Sequence, residues 1–269
     1  MTELVDTHCH IQSIGQTQGE RGTREIWAKH PELIVEKVLE NANNRGVRRL
    51  LCVGCDLADS QLAVDFVQEH DECWASIGIH PHEAKHQTGE KLAGLAALAA
   101  KPKVVAVGEC GLDYYYGRSP KSDQIRVLEF QLELARTAEL PVIFHVREAF
   151  DDFWPILDNF KDLKGVLHSF TDTAANRNKA LERGFYIGIN GIATFAKDQA
   201  LLEVYKTVPL EHLLLETDAP FLTPAPHRGS INEPQRVADT AAFLAELRGE
   251  KLEELAAATT HNARQLFGI

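Results

Sequence analysis

Short apolar runs alternate with amphipathic stretches along almost the whole chain. The apolar runs begin at 4–5 and recur at 47–53, 74–79, 104–108, 141–144, 166–167, 185–189 and 213–215. Each is a continuous run rather than an alternation of apolar and polar residues, which is typical of parallel strands covered on both faces. The pattern therefore predicts eight buried strands.

Helical periodicity follows most of these runs. We expect helices over 31–45, 60–69, 91–100, 122–139, 149–160, 174–183, 196–206, 234–248 and 252–267. Pro31 suits the first turn of a helix, Gly46 suits its end, and Ser122 suits an N-cap. The polar segment 11–30 has three glycines and no clear period, so we expect an irregular surface loop there.

The number of strand–helix units indicates an α/β fold. Eight such units in 269 residues predict a single domain spanning 1–269, a (β/α)8 TIM barrel. An open, doubly wound sheet is the competing architecture, but the sequence contains no G-x-G-x-x-G or P-loop motif to bind a nucleotide. In a barrel of this kind the active site lies at the carboxyl ends of the strands.

The first predicted strand leads directly into His8 and His10. Residues i and i+2 of an extended strand point to the same face, so the two imidazoles project side by side. Alone, the pair fits a metal site and two alternating surface or core histidines about equally well. The ends of the later strands decide between these interpretations.

Further histidines and carboxylates follow the later strands: His80, His82, Glu109, His145, His168 and Asp218. Imidazole and carboxylate donors suit Zn²⁺, Mn²⁺ or Co²⁺, and Mg²⁺ less well. Four of the histidines at these strand ends and the two carboxylates would give six ligands. A single catalytic zinc usually has three protein ligands, so this larger set predicts two divalent ions with Glu109 as the bridge.

Composition restricts the class of protein and its partners. Apolar residues make up 44% and charged residues 25%, as in soluble globular proteins, and no apolar run is long enough to span a membrane. We see no secretory signal, and the odd count of five cysteines favours reduced thiols in a cytoplasm. The net charge of −11 disfavours a broad surface for duplex DNA, yet a phosphate could still bind at a local metal site.

One Cys-x-x-Cys pair, Cys52 and Cys55, lies in a strand-like run. We interpret it as two buried thiols, because no second pair follows to complete a metal site.

Six motifs resemble the TatD family of metal-dependent deoxyribonucleases, which belongs to the amidohydrolase-like barrels. They are DTHCH at 6–10, GIHPH at 78–82, GECGLDY at 108–114, PVIFH at 141–145, LETDAP at 215–220 and RGSINEP at 228–234. The resemblance implies one metal on His8, His10, Glu109 and Asp218, and a second on Glu109, His145 and His168. The implied activity is hydrolysis of DNA phosphodiesters as a 3′–5′ exonuclease.

The expected substrate is single-stranded DNA or a DNA 3′ end, cleaved by a monomer that needs two divalent ions. Glu109 and Asp218 are the predicted catalytic carboxylates, and Asp218 is the candidate general base, although it could be a ligand only. We expect Glu216 to orient a metal ligand. The expected substrate contacts come from His80, His82 and Arg228. Arg228 could instead be a solvated loop residue. The tyrosines at 114–116 could stack a base or simply pack.

Two other classes of function compete with a nuclease. A barrel hydrolase for a small ester, amide or phosphotriester would favour a bridging lysine, and no lysine follows the strands where such a bridge would sit. A non-catalytic binding protein would be expected to have lost at least one ligand, and none is lost.

Overall fold

The computed structural model describes residues 3–269. Within them, eight parallel strands follow one another in chain order around a nearly closed barrel. Strands β1 to β8 span Leu4–Cys9, Val47–Val53, Cys73–Ile77, Val104–Asp113, Val142–Arg147, Gly165–Leu167, Tyr186–Ile189 and Leu213–Leu215. The predicted (β/α)8 TIM barrel is confirmed.

Helices connect the strands and surround them. Helices α1 to α10 span Arg21–Trp27, Val35–Asn44, Leu57–Glu69, Gly89–Leu98, Lys121–Ala138, Phe150–Leu157, Ala174–Glu182, Gln199–Lys206, Val237–Arg248 and Leu252–Phe267. Short 3₁₀ helices lie at Ile11–Ser13, Pro81–His86, Gly191–Phe195, Leu210–His212 and Pro234–Arg236. Several of these short turns follow the carboxyl ends of strands and so form part of the mouth of the barrel.

The barrel closes between β1 and β8 through a short seam. One isolated parallel bridge joins the two sides, and Asp218 N donates to His8 O over 2.8 Å. The buried Asp6 carboxylate strengthens the seam, because it accepts one hydrogen bond from the backbone N–H of Thr217 and another from its hydroxyl. Side chains thus help to join the first and last strands, next to the residues that are expected to bind metal.

The core has two layers. The larger clusters fill the space between strands and helices. A smaller cluster joins buried residues of six strands to the end of α10, and its members include Val5, Leu51, Val53, Ala106, Ile143, Val166, Leu214, Leu266 and Phe267. This cluster is a packed interior of the kind that supports a site at the opposite end of the barrel.

The beginnings of several helices differ from expectation. Asp56 caps α3 by accepting a hydrogen bond from Asp59 N, so the helix begins at Leu57 rather than at residue 60. Ser122 lies inside the first turn of α5, which begins after Pro120, so the predicted N-cap is wrong. Pro31 lies in a turn before α2, while Gly46, with a φ of 83°, follows the end of that helix as expected.

The segment 11–30 is more ordered than a loop. It contains a 3₁₀ turn and α1, and the Glu20 carboxylate caps α1 by accepting from Thr23 N. Trp27 is buried and donates from Nε1 to His10 O over 3.1 Å. The segment is therefore attached to the strand end that carries the histidine pair. In the described residues, every helix is too short or too polar to cross a membrane.

Candidate metal centre

Glu109 lies at the centre of the mouth of the barrel, surrounded by four imidazoles. It lies within β4 rather than after it, since that strand continues to Asp113 with an irregular register between Val107 and Cys110. The carboxylate oxygens lie 2.7 Å from His145 Nδ1, 3.3 Å from His8 Nε2, 3.6 Å from His80 Nε2 and 3.8 Å from His168 Nε2. Side chains from five strands or strand ends therefore meet at one buried carboxylate.

Asp218 forms the second acidic group, on the seam side. Its Oδ1 lies 3.4 Å from His10 Nε2 and 3.7 Å from His8 Nε2. Its backbone has a φ of 62°, a left-handed conformation that is strained for a residue with a side chain and is often found at functional sites. The hydrogen bond from Asp218 N to His8 O holds this conformation against β1.

The donor set fits divalent cations. His8 is completely buried, and within residues 3–269 neither of its ring nitrogens has a hydrogen-bond partner. A buried polar group without a partner is costly, and a cation bound to Nε2 would supply one. Three groups place their donor atoms within 4.8 Å of one another: His8–His10–Glu109, His8–His168–Asp218 and His80–Glu109–His145.

His80 lies closer to the centre than the sequence suggested. It was expected to line the substrate cleft, but its Nε2 faces Glu109 and it shares a candidate metal group with His145. His168, the expected partner of His145 in the second metal set, lies slightly farther from Glu109. The histidines at 8, 10, 145 and 168 all reach the same cluster, and their role as ligands stays a prediction.

Two further carboxylates, Asp113 and Glu216, contact the ring nitrogens of His145 and His168 that do not face Glu109. Asp113 Oδ2 lies 3.1 Å from His145 Nε2 and 3.0 Å from His82 Nε2. Glu216 Oε1 lies 3.0 Å from His168 Nδ1, at an angle outside that of a regular hydrogen bond, and it accepts from Ser169 N. A carboxylate behind a histidine fixes the ring and raises its basicity as a ligand. This arrangement supports the predicted orienting role of Glu216.

Glu216 has room for its carboxylate because residue 188 is glycine. A Cβ built on Gly188 would lie 2.4 Å from Glu216 Oε2. Any larger residue in this part of β7 would displace the carboxylate that lies beside His168.

We predicted no role for Asp113 from the sequence, although its spacing from Glu109 indicates one. Asp113 lies four residues after Glu109 on one strand, and alternate residues of a strand face the same side. Burial opposes ionisation, but the hydrogen bonds from His145 and His82 hold the pKa of Asp113 well below its usual range. It is therefore a carboxylate that carries its charge at neutral pH.

We expect Asp113→Asn to weaken metal affinity or activity by about 10- to 100-fold, as for other residues that orient metal ligands. Asparagine keeps the shape of the side chain but removes the negative charge behind His145. Metal titration and steady-state rates would measure the loss, with the exposed Asp162→Asn as control. Unchanged metal affinity and activity would show that Asp113 does not position His145.

The imidazoles of the cluster differ in pKa. Burial, followed by the charge of a neighbouring imidazole, lowers the pKa of His8 and of His80. At three others burial acts in the same direction, but hydrogen bonds and charges of adjacent carboxylates outweigh it. The raised pKa values are about 9 for His10, about 9 for His145 and about 10 for His168. Without a metal, these three side chains carry protons at neutral pH.

Adding Mn²⁺ or Zn²⁺ to metal-free protein near pH 7 should therefore release protons, because a ligating histidine must be neutral. Since the raised pKa values lie at about 9 and above, metal affinity should rise as pH increases toward 9 and fall as pH decreases. Calorimetry in buffers of different ionisation enthalpy would count the protons. Binding that releases no proton would contradict a site built on these three histidines.

The remaining predicted contacts are less central. His82 bonds to Asp113, and its ring meets that of His80 edge to face with centroids 4.3 Å apart, so it borders the cluster. Arg228 is exposed, packs its guanidinium 3.7 Å from the centroid of the Phe195 ring and donates to Thr223 O. The five cysteines are buried and free, as expected for Cys52 and Cys55.

One further group, His10–Cys55–Asp59, also has its donor atoms close together. The Asp59 carboxylate already accepts hydrogen bonds from Cys55 N and from the side chains of Gln12 and Ser13. This buried group is therefore satisfied within the protein and positions the 3₁₀ turn after β1.

The chain is similar to known proteins over most of its length. The sequence profile of TatD related DNases matches residues 5–268. The chain is 38% identical over 268 residues to the uncharacterized metal-dependent hydrolase YabD of Bacillus subtilis, covering 99% of both proteins. It is 41% identical over 241 residues to the 3′-5′ ssDNA/RNA exonuclease TatD of Citrobacter rodentium, covering 87% of this chain and 92% of that protein.

A solved structure supports the same relationship. The crystal structure of YjjV, a TatD homologue from Escherichia coli, superposes with a TM-score of 0.87 at 28% identity. The match covers 99% of this chain and 98% of that one. Because the family profile spans nearly the whole chain and close relatives match over their full length, the chain belongs to the TatD related DNase family and is a metal-dependent hydrolase of that family.

Proposed function

We propose that this protein is a metal-dependent exonuclease that removes nucleotides from the 3′ ends of single-stranded DNA. The observation that carries the proposal is the convergence of four imidazoles on Glu109 at the open end of the barrel. Relatives named 3′-5′ ssDNA/RNA exonuclease support this substrate class. All six predicted ligands come from one barrel, which favours a monomer as the active form, and five free thiols favour a reducing cytoplasm.

The proposed site would hold two divalent ions, Zn²⁺, Mn²⁺, Mg²⁺ or Co²⁺, and Glu109 would be available as a ligand to both. His8, His10 and Asp218 would hold one, and His145 and His168 the other, with His80 near enough to Glu109 to join the second set. When bound, such ions lower the pKa of water and neutralise charge on a phosphate. The close groups His8–His10–Glu109 and His80–Glu109–His145 support a donor set on each side of Glu109, whereas His168 lies close to His8 and Asp218 and so stands between the two sets.

Asp218 is the proposed general base. It is the most exposed of the central carboxylates, with 16% of its side chain accessible compared with 6% for Glu109. Burial opposes ionisation, but the hydrogen bond and charges of the adjacent histidines lower its pKa, so it is ionised and able to accept a proton from the attacking water. Arg228, on the loop after β8, is proposed to contact a phosphate of the strand.

The other side chains around the centre position these groups. Asp113 and Glu216 hold His145 and His168 in fixed orientations. The seam between β1 and β8 keeps Asp218 against the histidine pair. Since the carboxylates and imidazoles are already close together before substrate binds, little reorganisation is required for catalysis.

The test is a substrate panel on one metal-loaded preparation. We expect single-stranded DNA with a free 3′ hydroxyl to yield mononucleotides, and a strand with a blocked 3′ end to be resistant. A chelator should abolish the activity, Mg²⁺ or Mn²⁺ should restore it, and elemental analysis of the active sample should find about two ions per chain. Rapid turnover of small esters or amides, with no nucleotide released from DNA, would overturn the proposal.

A further inference from the structure

The three tyrosines after Asp113 have different environments. Tyr114 is half-buried, and its hydroxyl donates to Asp152 Oδ2 over 2.8 Å, so it packs as part of the fold. Tyr115 and Tyr116 are 54% and 51% exposed and belong to the few large apolar side chains that the described residues leave open to solvent. Their rings meet edge to face, with centroids 4.8 Å apart. Each of the two residues therefore keeps about half of its surface available for contact with a ligand.

The guanidinium of Arg147 lies close to the rings of both Tyr115 and Tyr116. Arg147 ends β5, two residues after His145, and therefore points toward the same mouth of the barrel. Its guanidinium carbon lies 4.1 Å from the centroid of Tyr115 and 4.9 Å from that of Tyr116. Within residues 3–269 no carboxylate forms an ion pair with it. Arg118 adds a second cation, 5.5 Å from the Tyr116 ring.

This surface is continuous with the candidate metal centre. The ring of Tyr116 meets that of His82 edge to face at 5.5 Å, and His82 shares Asp113 with His145. The Tyr116 side of the aromatic pair thus contacts His82, which shares Asp113 with His145. The other side of the pair faces solvent.

We propose that Tyr115, Tyr116 and Arg147 form a platform on which a nucleobase of single-stranded nucleic acid stacks, beside the phosphodiester to be cleaved. Aromatic rings stack on any base, so the platform would act without regard to sequence. The cation beside the rings supplies local positive charge for the adjacent phosphate in a chain whose net charge is −11. The inference rests on the proposed nuclease function and adds the position at which the strand is held.

Duplex DNA does not suit this surface, because its bases are stacked on each other and are not free to stack on protein rings. A strand end or a single-stranded segment presents them. The platform therefore predicts a preference for single strands that arises from Tyr115 and Tyr116 and is independent of metal binding.

The test combines two double variants with two substrates. Tyr115→Leu with Tyr116→Leu keeps apolar bulk but removes the rings, whereas Tyr115→Phe with Tyr116→Phe keeps the rings. Each metal-loaded protein is titrated with a fluorescent, phosphorothioate-linked single strand that resists hydrolysis, and with the same strand carrying abasic sites near its 3′ end. Tyr186→Leu, at the amino-terminal end of β7, is the matched control.

We expect the leucine variant to bind the normal strand at least about tenfold more weakly, as for other lost base-stacking contacts. It should bind the abasic strand as the wild type does, and the phenylalanine variant should match the wild type on both. Arg147→Ala should also reduce the log–log salt slope of binding by about 1, since one phosphate contact is lost. The content of bound metal should be the same in all variants.

The outcomes separate two kinds of failure. If the wild type binds and degrades the strand and the leucine variant does so equally well, the platform is wrong and the nuclease proposal stands. If the wild type neither binds nor degrades single strands, both are overturned. Equal weakening on normal and abasic strands would also overturn the platform, because the lost contact would then not involve a base.

Discussion

Glu109→Gln is expected to abolish hydrolysis while the protein remains folded. The side chain lies within 4 Å of four imidazoles, so the change removes the negative charge that both predicted cations share. Loss of a residue that only orients a ligand costs about 10- to 100-fold, and loss of the shared ligand should exceed that range. Elemental analysis should show that at least one ion is lost, and circular dichroism should show an intact barrel.

The exposed Glu129→Gln on α5 is the matched control, since it makes the same chemical change far from the strand ends. It should keep wild-type rates and metal content. If Glu109→Gln retained both ions and most of the activity, Glu109 would not be the bridge, and the cluster around it would need another explanation.

Asp218→Asn is expected to reduce kcat by about 100-fold or more at saturating metal, in keeping with removal of a general base. Asparagine can still contact His10 and occupy the left-handed backbone position, but it cannot accept a proton. Because the base acts in the transition state, kcat and kcat/KM should fall together.

Metal content distinguishes the two roles of Asp218. A general base predicts that Asp218→Asn stays inactive even where excess Mn²⁺ restores the full metal content. Recovery of activity with metal content would show that the carboxylate is a ligand only. The exposed Asp65→Asn on α3 should behave as the wild type in both measurements.

The number and order of the strands could be predicted because a buried parallel strand leaves a continuous apolar run in the sequence. The convergence of residues as distant as His8 and Asp218 followed from one rule, that the carboxyl ends of barrel strands face the same side. The general position of the site could therefore be predicted from the order of residue types along the chain.

Local details could not be predicted in the same way. The strands β4 and β5 continue past Glu109 and His145, because they stay paired with each other as far as Asp113 and Arg147. The position of His80 beside Glu109 depends on where the turn after β3 places the ring, which no periodicity encodes. The capping of α1 by Glu20 could not be predicted either, because the segment around it has no hydrophobic period.

The seam between β1 and β8 also has a consequence for biosynthesis. The Asp6–Thr217 contact joins residues 211 positions apart. Most of the protein must therefore have left the ribosome before β1 and β8 can meet. A domain generally folds as a unit, and contacts between residues distant in the sequence form late. His8 and His10 therefore emerge long before Asp218, and an unfinished polypeptide should be unable to assemble the complete nuclease centre.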